Sequence, residues 1–88
     1  MQNGEIAREL ERIATLMEIK DETYYRILGY KRAAESVVAQ GSPVREMKDL
    51  TTLAHVGATT AGVIRDLAED REQQLLTELL EEVPTGLV

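Results

Sequence analysis

The stretch LAHVGATTAGVI, residues 53–64, decides how this chain is read. Two apolar residues, Leu53 and Val56, lead into Gly57, three small residues and then a helical apolar pattern. One reading is a short hairpin between two helices. Such a hairpin presents consecutive backbone N–H groups at the start of the second helix, and these free donors and the helix dipole attract an anion. A phosphodiester suits that role, and the contact reads no base sequence. Gly57 then supplies positive φ or close approach of backbone to ligand. Ala58, Thr59 and Thr60 add small side chains and two hydroxyls, and Ala61 lets the helices pack closely. The other reading is a plain helix–helix joint, since Leu-x-x-Val-Gly-x-x-x-Ala-x-x-Ile describes that equally well.

Outward from the hairpin, the pattern stays helical. Downstream, a helix over about 59–70 buries Ala61, Ile64, Leu67 and Ala68. Another over about 71–82 carries Leu75, Leu76, Leu79 and Leu80. Val83-Pro84 ends it, because the residue before proline disfavours the α region. The closing TGLV reads as a cut from a longer chain. Upstream, Val44, Met47, Leu50 and Leu53 recur every three residues in a short helical stretch. Before it stands QGSP, with Gly41 as a C′ residue, Ser42 as an N-cap and Pro43 at N1. A helix over 23–39 carries Ile27, Tyr30, Ala34 and Val37 or Val38, and Gly29 within it marks a close contact or the true helix start. Residues 3–18 place Ile6, Leu10, Ile13 and Met17 on one face at i, i+4, i+7 and i+11, with Asn3 as cap. No strand alternation, repeat or low-complexity segment interrupts this. The expected fold is all-α, one domain over residues 1–88 with four to five short helices.

Composition agrees. The chain has 88 residues, is 43 % apolar, and has no Phe, Trp or Cys. It is rich in Leu, Ala, Glu and Arg, all good helix formers. Without cysteine there is no disulfide or thiolate metal site. No apolar run approaches the roughly 20 residues of a membrane span, and MQNGEIAREL is no signal peptide. The expectation is a cytoplasmic, monomeric protein with no membrane contact. Net charge is −6, which alone argues against nucleic acid. The distribution is uneven: residues 1–50 hold eight Lys/Arg against nine Asp/Glu, and residues 51–88 two against seven. TYYRILGYKRAA, residues 23–34, holds Arg26, Lys31 and Arg32 and no acid. An anion-binding face should include it, with the acidic 66–82 face turned away.

The order of these motifs carries a resemblance. NGEIARELERIATLMEIKDETYYRILGYKRAAESV, followed by LTTLAHVGATTAGVIRDLAED and LLTELLEEVPTGL, resembles the N-terminal helix-hairpin-helix domain of X-family DNA polymerases. It is nearest to the bacterial and archaeal members that also carry a polymerase-and-histidinol-phosphatase domain. The resemblance spans essentially the whole chain. It implies a DNA-binding domain at the front of a longer polymerase chain, contacting gapped or 5′-phosphorylated DNA while downstream domains polymerise. In some members this domain also removes a 5′-deoxyribose phosphate through a lysine Schiff base.

Residue by residue, the resemblance is uneven. The family hairpin reads Gly-hydrophobic-Gly; here these positions are His55, Val56 and Gly57. Arg26 matches a basic residue, Tyr30 a tyrosine near the 5′-phosphate pocket, and Lys31 and Arg32 a basic pair. Arg26 and Tyr30 are four apart, so both can face one ligand. The plainer alternatives are a core tyrosine and a solvated basic face. The lyase lysine falls at Val63, and two further basic positions fall at Thr59 and Thr51. Schiff-base chemistry needs an amine of depressed pKa in a pocket, and the three lysines, Lys20, Lys31 and Lys48, stand elsewhere. The expected DNA-binding set is therefore Arg26, Tyr30, Lys31, Arg32, His55, Val56, Gly57, Ala58, Thr59 and Thr60. No catalytic residue, metal ligand or cofactor is expected in this domain. The family can hold a monovalent cation at the hairpin carbonyls, and divalent metal belongs to the parent polymerase. The alternative function is a degenerate helix-hairpin-helix serving as a protein-interaction or structural module.

Overall fold

The computed structural model describes residues 1–71 and 73–82. They form four α-helices: α1 (Asn3–Ile19), α2 (Tyr24–Ala39), α3 (Ala58–Ala68) and α4 (Gln74–Glu82). Two single-turn 3₁₀ helices, Val44–Glu46 and Leu50–Thr52, precede the hairpin. No strand occurs among the described residues. The all-α expectation holds, and VPTGLV lies outside the described residues.

The core is built on α1. Ile6, Leu10, Ile13 and Met17 are all fully buried, with Ala14 and Leu16 beside them. Tyr30, Ala33, Ala34 and Val37 of α2 pack against this face, and Ile64 and Leu67 of α3 and Leu79 of α4 complete the cluster. Asn3 does not cap α1; Gln2 occupies the cap position, and its N–H donates to Glu5 at 3.1 Å. One residue further on, the Asn3 carboxamide offers both a donor and an acceptor toward the end of α2. Its Oδ1 accepts from the Val44 N–H at 2.9 Å and its Nδ2 donates to the Ser42 carbonyl at 3.0 Å.

Two helices end on aspartate rather than glycine. Asp21 has φ 65° and Asp70 has φ 57°. After α1, the Asp21 N–H reaches the Glu18 carbonyl and the Glu22 N–H the Met17 carbonyl; after α3, Asp70 reaches Leu67 and Arg71 reaches Asp66. These are paired Schellman bonds around a left-handed residue, a conformation that aspartate tolerates. No glycine among the described residues has positive φ, so Gly41 follows α2 without the left-handed turn expected there. Pro43, not Ser42, stands at the cap of the first 3₁₀ turn.

The expected third helix is broken in two. A spacing of three is the 3₁₀ period. Between the turns, Asp49 takes the Thr51 N–H at 3.0 Å and restarts the chain. Arg65 of α3 donates to the Arg45 carbonyl at 3.1 Å and the Met47 carbonyl at 2.5 Å, satisfying acceptors that the break leaves open. In α3, Val63 takes the core position expected of Ala61, which is only half-buried. The last helix starts at Gln74, later than expected. The left-handed Asp70 ends α3, and buried Gln73 caps α4 by accepting from the Leu76 N–H at 2.9 Å.

Candidate functional site

The hairpin, residues 53–57, closes through the Val56 N–H to the Leu53 carbonyl at 3.3 Å. Val56 is buried and anchors the loop, while His55 and Gly57 are exposed. The left-handed residue is His55, at φ 63°. Gly57 is extended, at φ −93° and ψ −173°, and a Cβ there would meet nothing within 4 Å. Of the two roles offered for Gly57, positive φ is carried by His55 instead. Histidine is among the residues enriched in the left-handed region. Gly57 has instead the cap position of α3, where it supplies no side-chain acceptor. The first helical bond is Ala61 N–H to the Gly57 carbonyl at 2.8 Å. The amides of Ala58, Thr59 and Thr60 thus belong to the first turn, whose N–H groups have no intrahelical partner.

This helix end faces α2 across a cleft of about 310 Å³ lined by Tyr25, Arg26, Gly29, Tyr30, Thr59 and Thr60. Four of the expected residues, Arg26, Tyr30, Thr59 and Thr60, converge here. Tyr30 combines its two readings: the residue is 5 % exposed within the core, and it also lines the cleft beside Thr60. Burial pushes its phenol's pKa up, while the Arg26 charge and the Thr60 hydrogen bond oppose the rise. Arg26 is ion-paired with Glu22, one helical turn back.

Two contributors, Tyr25 and Ser36, were not singled out from sequence; Gly29 lines the cleft and marks neither a close contact, since a Cβ there would meet nothing within 4 Å, nor the start of α2, which is Tyr24. Tyr25 is 85 % exposed at the lip of the cleft. Ser36 donates its hydroxyl to the Ala54 carbonyl at 2.6 Å, tying α2 to the hairpin. Tyr25, Gly29, Arg32 and Ser36 fall at i, i+4, i+7 and i+11, one stripe of α2. Arg32 and Gly29 were named from sequence, but the face they share with Tyr25 and Ser36 was not. Arg32 is exposed on it and makes no ion pair among the described residues. Lys31 is not brought to the cleft. It pairs with Glu18 of α1 at 2.5 Å, and that hydrogen bond and charge hold its ammonium above the usual lysine range.

Past Arg26, Tyr30 and Thr59 the cleft continues as a groove of about 380 Å³ between α2, α3 and α4. Gly62, Val63, Asp66, Gln73, Gln74, Leu75 and Glu78 line it. The acidic 66–82 segment does not turn away from the site as a whole. The turn at Asp70 brings α4 back, so Asp66 and Glu78 stand on the groove wall. Val63, the position that the resemblance matches to the family lysine, is 4 % exposed. No lysine lines the cleft or the groove. Lys20 pairs with Glu22 and Glu82. Two hairpin carbonyls, those of Leu53 and Ala54, accept from the Val56 N–H and the Ser36 hydroxyl. No group of three or more metal-ligating side chains occurs among the described residues. No helix among them is long and apolar enough to cross a membrane.

A 3₁₀ turn at Leu50–Thr52 joined to α3 by a tight hairpin, with the open start of α3 facing α2 across the cleft, is the arrangement of a helix-hairpin-helix domain. The family described as helix-hairpin-helix domain matches residues 1–73, and the chain belongs to it. The chain is also similar over all 88 of its residues, at 32 % identity, to the DNA polymerase/3'-5' exonuclease PolX of Bacillus subtilis (strain 168). It spans 15 % of that relative's length. No solved structure matches it.

Proposed function

We propose that this chain is the non-sequence-specific DNA-binding domain of an X-family DNA polymerase. It contacts the backbone or a 5′-phosphate at a gap and works beside downstream polymerase domains of the same chain. One observation carries the reading: the open start of α3 meets Arg26, the Tyr30 phenol and the Thr59 and Thr60 hydroxyls in one cleft. These are donors aimed at one anion, and none reads a base edge. Similarity to part of a polymerase supports the assignment of that anion to DNA.

The same reading leaves out lyase chemistry. The groove position that would hold the nucleophilic amine is Val63, and lysine is absent from its lining. Borohydride should trap no covalent adduct with a 5′-deoxyribose-phosphate end.

Fluorescence anisotropy with gapped DNA tests the binding. Affinity should be weak and should fall with salt as phosphate contacts predict, with a log–log slope of about −0.9 per contact. Arg26→Ala should weaken it. Absence of binding at low salt would instead favour a protein-interaction or structural module. Two observations give that alternative its weight: the net charge of −6, and the engagement of Lys31 by Glu18 and of Arg65 by carbonyls.

A further inference from the structure

The domain neutralises much of its own positive charge. Arg12, Lys20, Arg26, Lys31 and Arg71 each pair with a carboxylate. Among the cations that make no ion pair in the described residues, Arg8 and Arg32 stand singly on α1 and α2, whereas Arg45 and Lys48 share one loop and are both exposed. That loop is clamped. Val44, fully buried, gives its N–H to Asn3, and Leu50 is buried at the other end. Between them the Arg65 guanidinium spans the Arg45 and Met47 carbonyls. Arg65 is thereby engaged by the loop's backbone, and the side chains presented outward are those of Arg45 and Lys48. Two acids stand beside them: Asp49, which accepts from the Thr51 N–H at 3.0 Å, and exposed Glu46. Arg45, Lys48 and Arg65 outnumber these two, in a chain whose net charge is −6.

The loop flanks α3 on the side away from the cleft. Thr59, Gly62, Val63 and Asp66 face the groove and occupy one arc of α3. Arg65, three residues after Gly62, lies about 60° outside that arc. Between the two flanks the exposed surface of α3 is Ala58 and Gly62, and a Cβ at Gly62 would meet nothing within 4 Å. The first turns of α3 are therefore a low, narrow ridge. Arg26 stands across the cleft on one side, and Arg45 and Lys48 stand on the other. A duplex presents a matching pair of charged rails, because its minor groove is only about 6 Å wide with the phosphates of one strand on each side. A single strand has one rail.

We propose that Arg45 and Lys48 form a second phosphate-binding patch, which takes the complementary strand of a duplex while the cleft holds the first. Neither residue belongs to the expected DNA-binding set. The proposal rests on the DNA-binding reading and makes its ligand a duplex astride the start of α3.

The test uses the 88-residue chain and fluorescence anisotropy over a salt series. One 5′-phosphorylated strand is presented alone, or paired as the downstream strand of a gapped duplex. Wild type should show the steeper salt dependence on the duplex. Arg45→Ala combined with Lys48→Ala should reduce the duplex log–log slope by about 1.8, at about 0.9 per lost phosphate contact, and leave single-strand affinity within about twofold. Arg26→Ala should weaken both ligands. Arg8→Ala combined with Arg12→Ala removes the same charge from α1 and should leave both slopes unchanged. Circular dichroism confirms that each variant is folded. The proposal is overturned, and DNA binding left standing, if the Arg45 and Lys48 variant keeps the wild-type duplex slope. An equal fall on the single strand, or an equal fall in the Arg8 and Arg12 variant, has the same consequence. Failure of wild type to bind either ligand overturns the DNA-binding reading and this proposal with it.

Discussion

Ser36 of α2 donates its hydroxyl to the carbonyl of Ala54 at 2.6 Å, and this bond fixes the hairpin against the helix that supplies the rest of the cleft. The acceptor is the residue before the left-handed His55, so the bond constrains the chain where its backbone conformation is least favourable. Ser36→Ala should cost about 1 kcal/mol, the usual net value of one hydrogen bond. In a domain of this size that is a fall of roughly 4–8 °C in Tm. Hydrogen exchange should rise at the Val56 amide before it rises in α1. Equal acceleration throughout the chain would show that the bond does not act on the hairpin.

The hairpin's two unusual positions have opposite demands. His55 at φ 63° must adopt a conformation that disfavours branched side chains. His55→Val should destabilise by about 1–2 kcal/mol, the cost of a left-handed residue. His55→Gly should not destabilise comparably. At Gly57 the backbone is ordinary and a methyl has room, so Gly57→Ala should leave stability within about 0.5 kcal/mol. Yet that methyl stands where a ligand would approach the open end of α3, and DNA affinity should drop. Urea melts paired with anisotropy separate the two effects. A large stability loss in Gly57→Ala would contradict the assignment.

Tyr30 makes stability sensitive to alkali. Its folded pKa lies above the ordinary 10.0 because burial disfavours the phenolate. Between those two values the unfolded chain has lost a proton that the folded chain keeps. The Tyr30 contribution is therefore complete below pH 10 and is lost as pH rises through the folded pKa. Lys20 and Lys31 are also raised, by their Glu82 and Glu18 partners, and add a loss of the same sign. The difference between wild type and Tyr30→Phe isolates the phenol. The variant should lack the most alkaline step in a phenolate absorbance titration and should lose less stability between pH 9 and 11. Identical alkaline losses would mean that the Tyr30 phenol is not held in its neutral form.

Helix positions were legible because apolar spacing reports burial: Ile6, Leu10, Ile13 and Met17 are all fully buried. Helix ends were less legible. Asp21 and Asp70 take a left-handed turn more often made by glycine, and Asn3 was read as a local cap when its partners are about 40 residues away. The cleft was half legible. Arg26, Tyr30, Thr59 and Thr60 meet as expected because two helix faces meet there. Lys31 does not join them: one residue beyond Tyr30 is about 100° around the helix, which points it at Glu18. The acidic groove wall depends on the reversal of chain direction at Asp70, which apolar spacing does not encode.

Asn3 connects chain segments that the hydrophobic core alone leaves loosely joined. Its carboxamide accepts from the Val44 N–H and donates to the carbonyls of Ser42 and Val37, at 2.9, 3.0 and 3.4 Å. Val44 is fully buried, so its N–H has no ready water substitute. Asn3→Ala strands that donor, and a buried unsatisfied group costs about 1–3 kcal/mol. Asn3→Asp is the sharper variant. It keeps the acceptor for Val44 but turns the donor toward two carbonyls into a charged acceptor facing them. It should therefore be at least as destabilising as alanine, and should recover toward the alanine value when acid protonates the carboxyl. Denaturant midpoints of the three proteins at pH 7 and pH 4 measure this. If Asn3→Asp matches wild type at pH 7, the two donated bonds contribute nothing, and the link rests on Val44 alone.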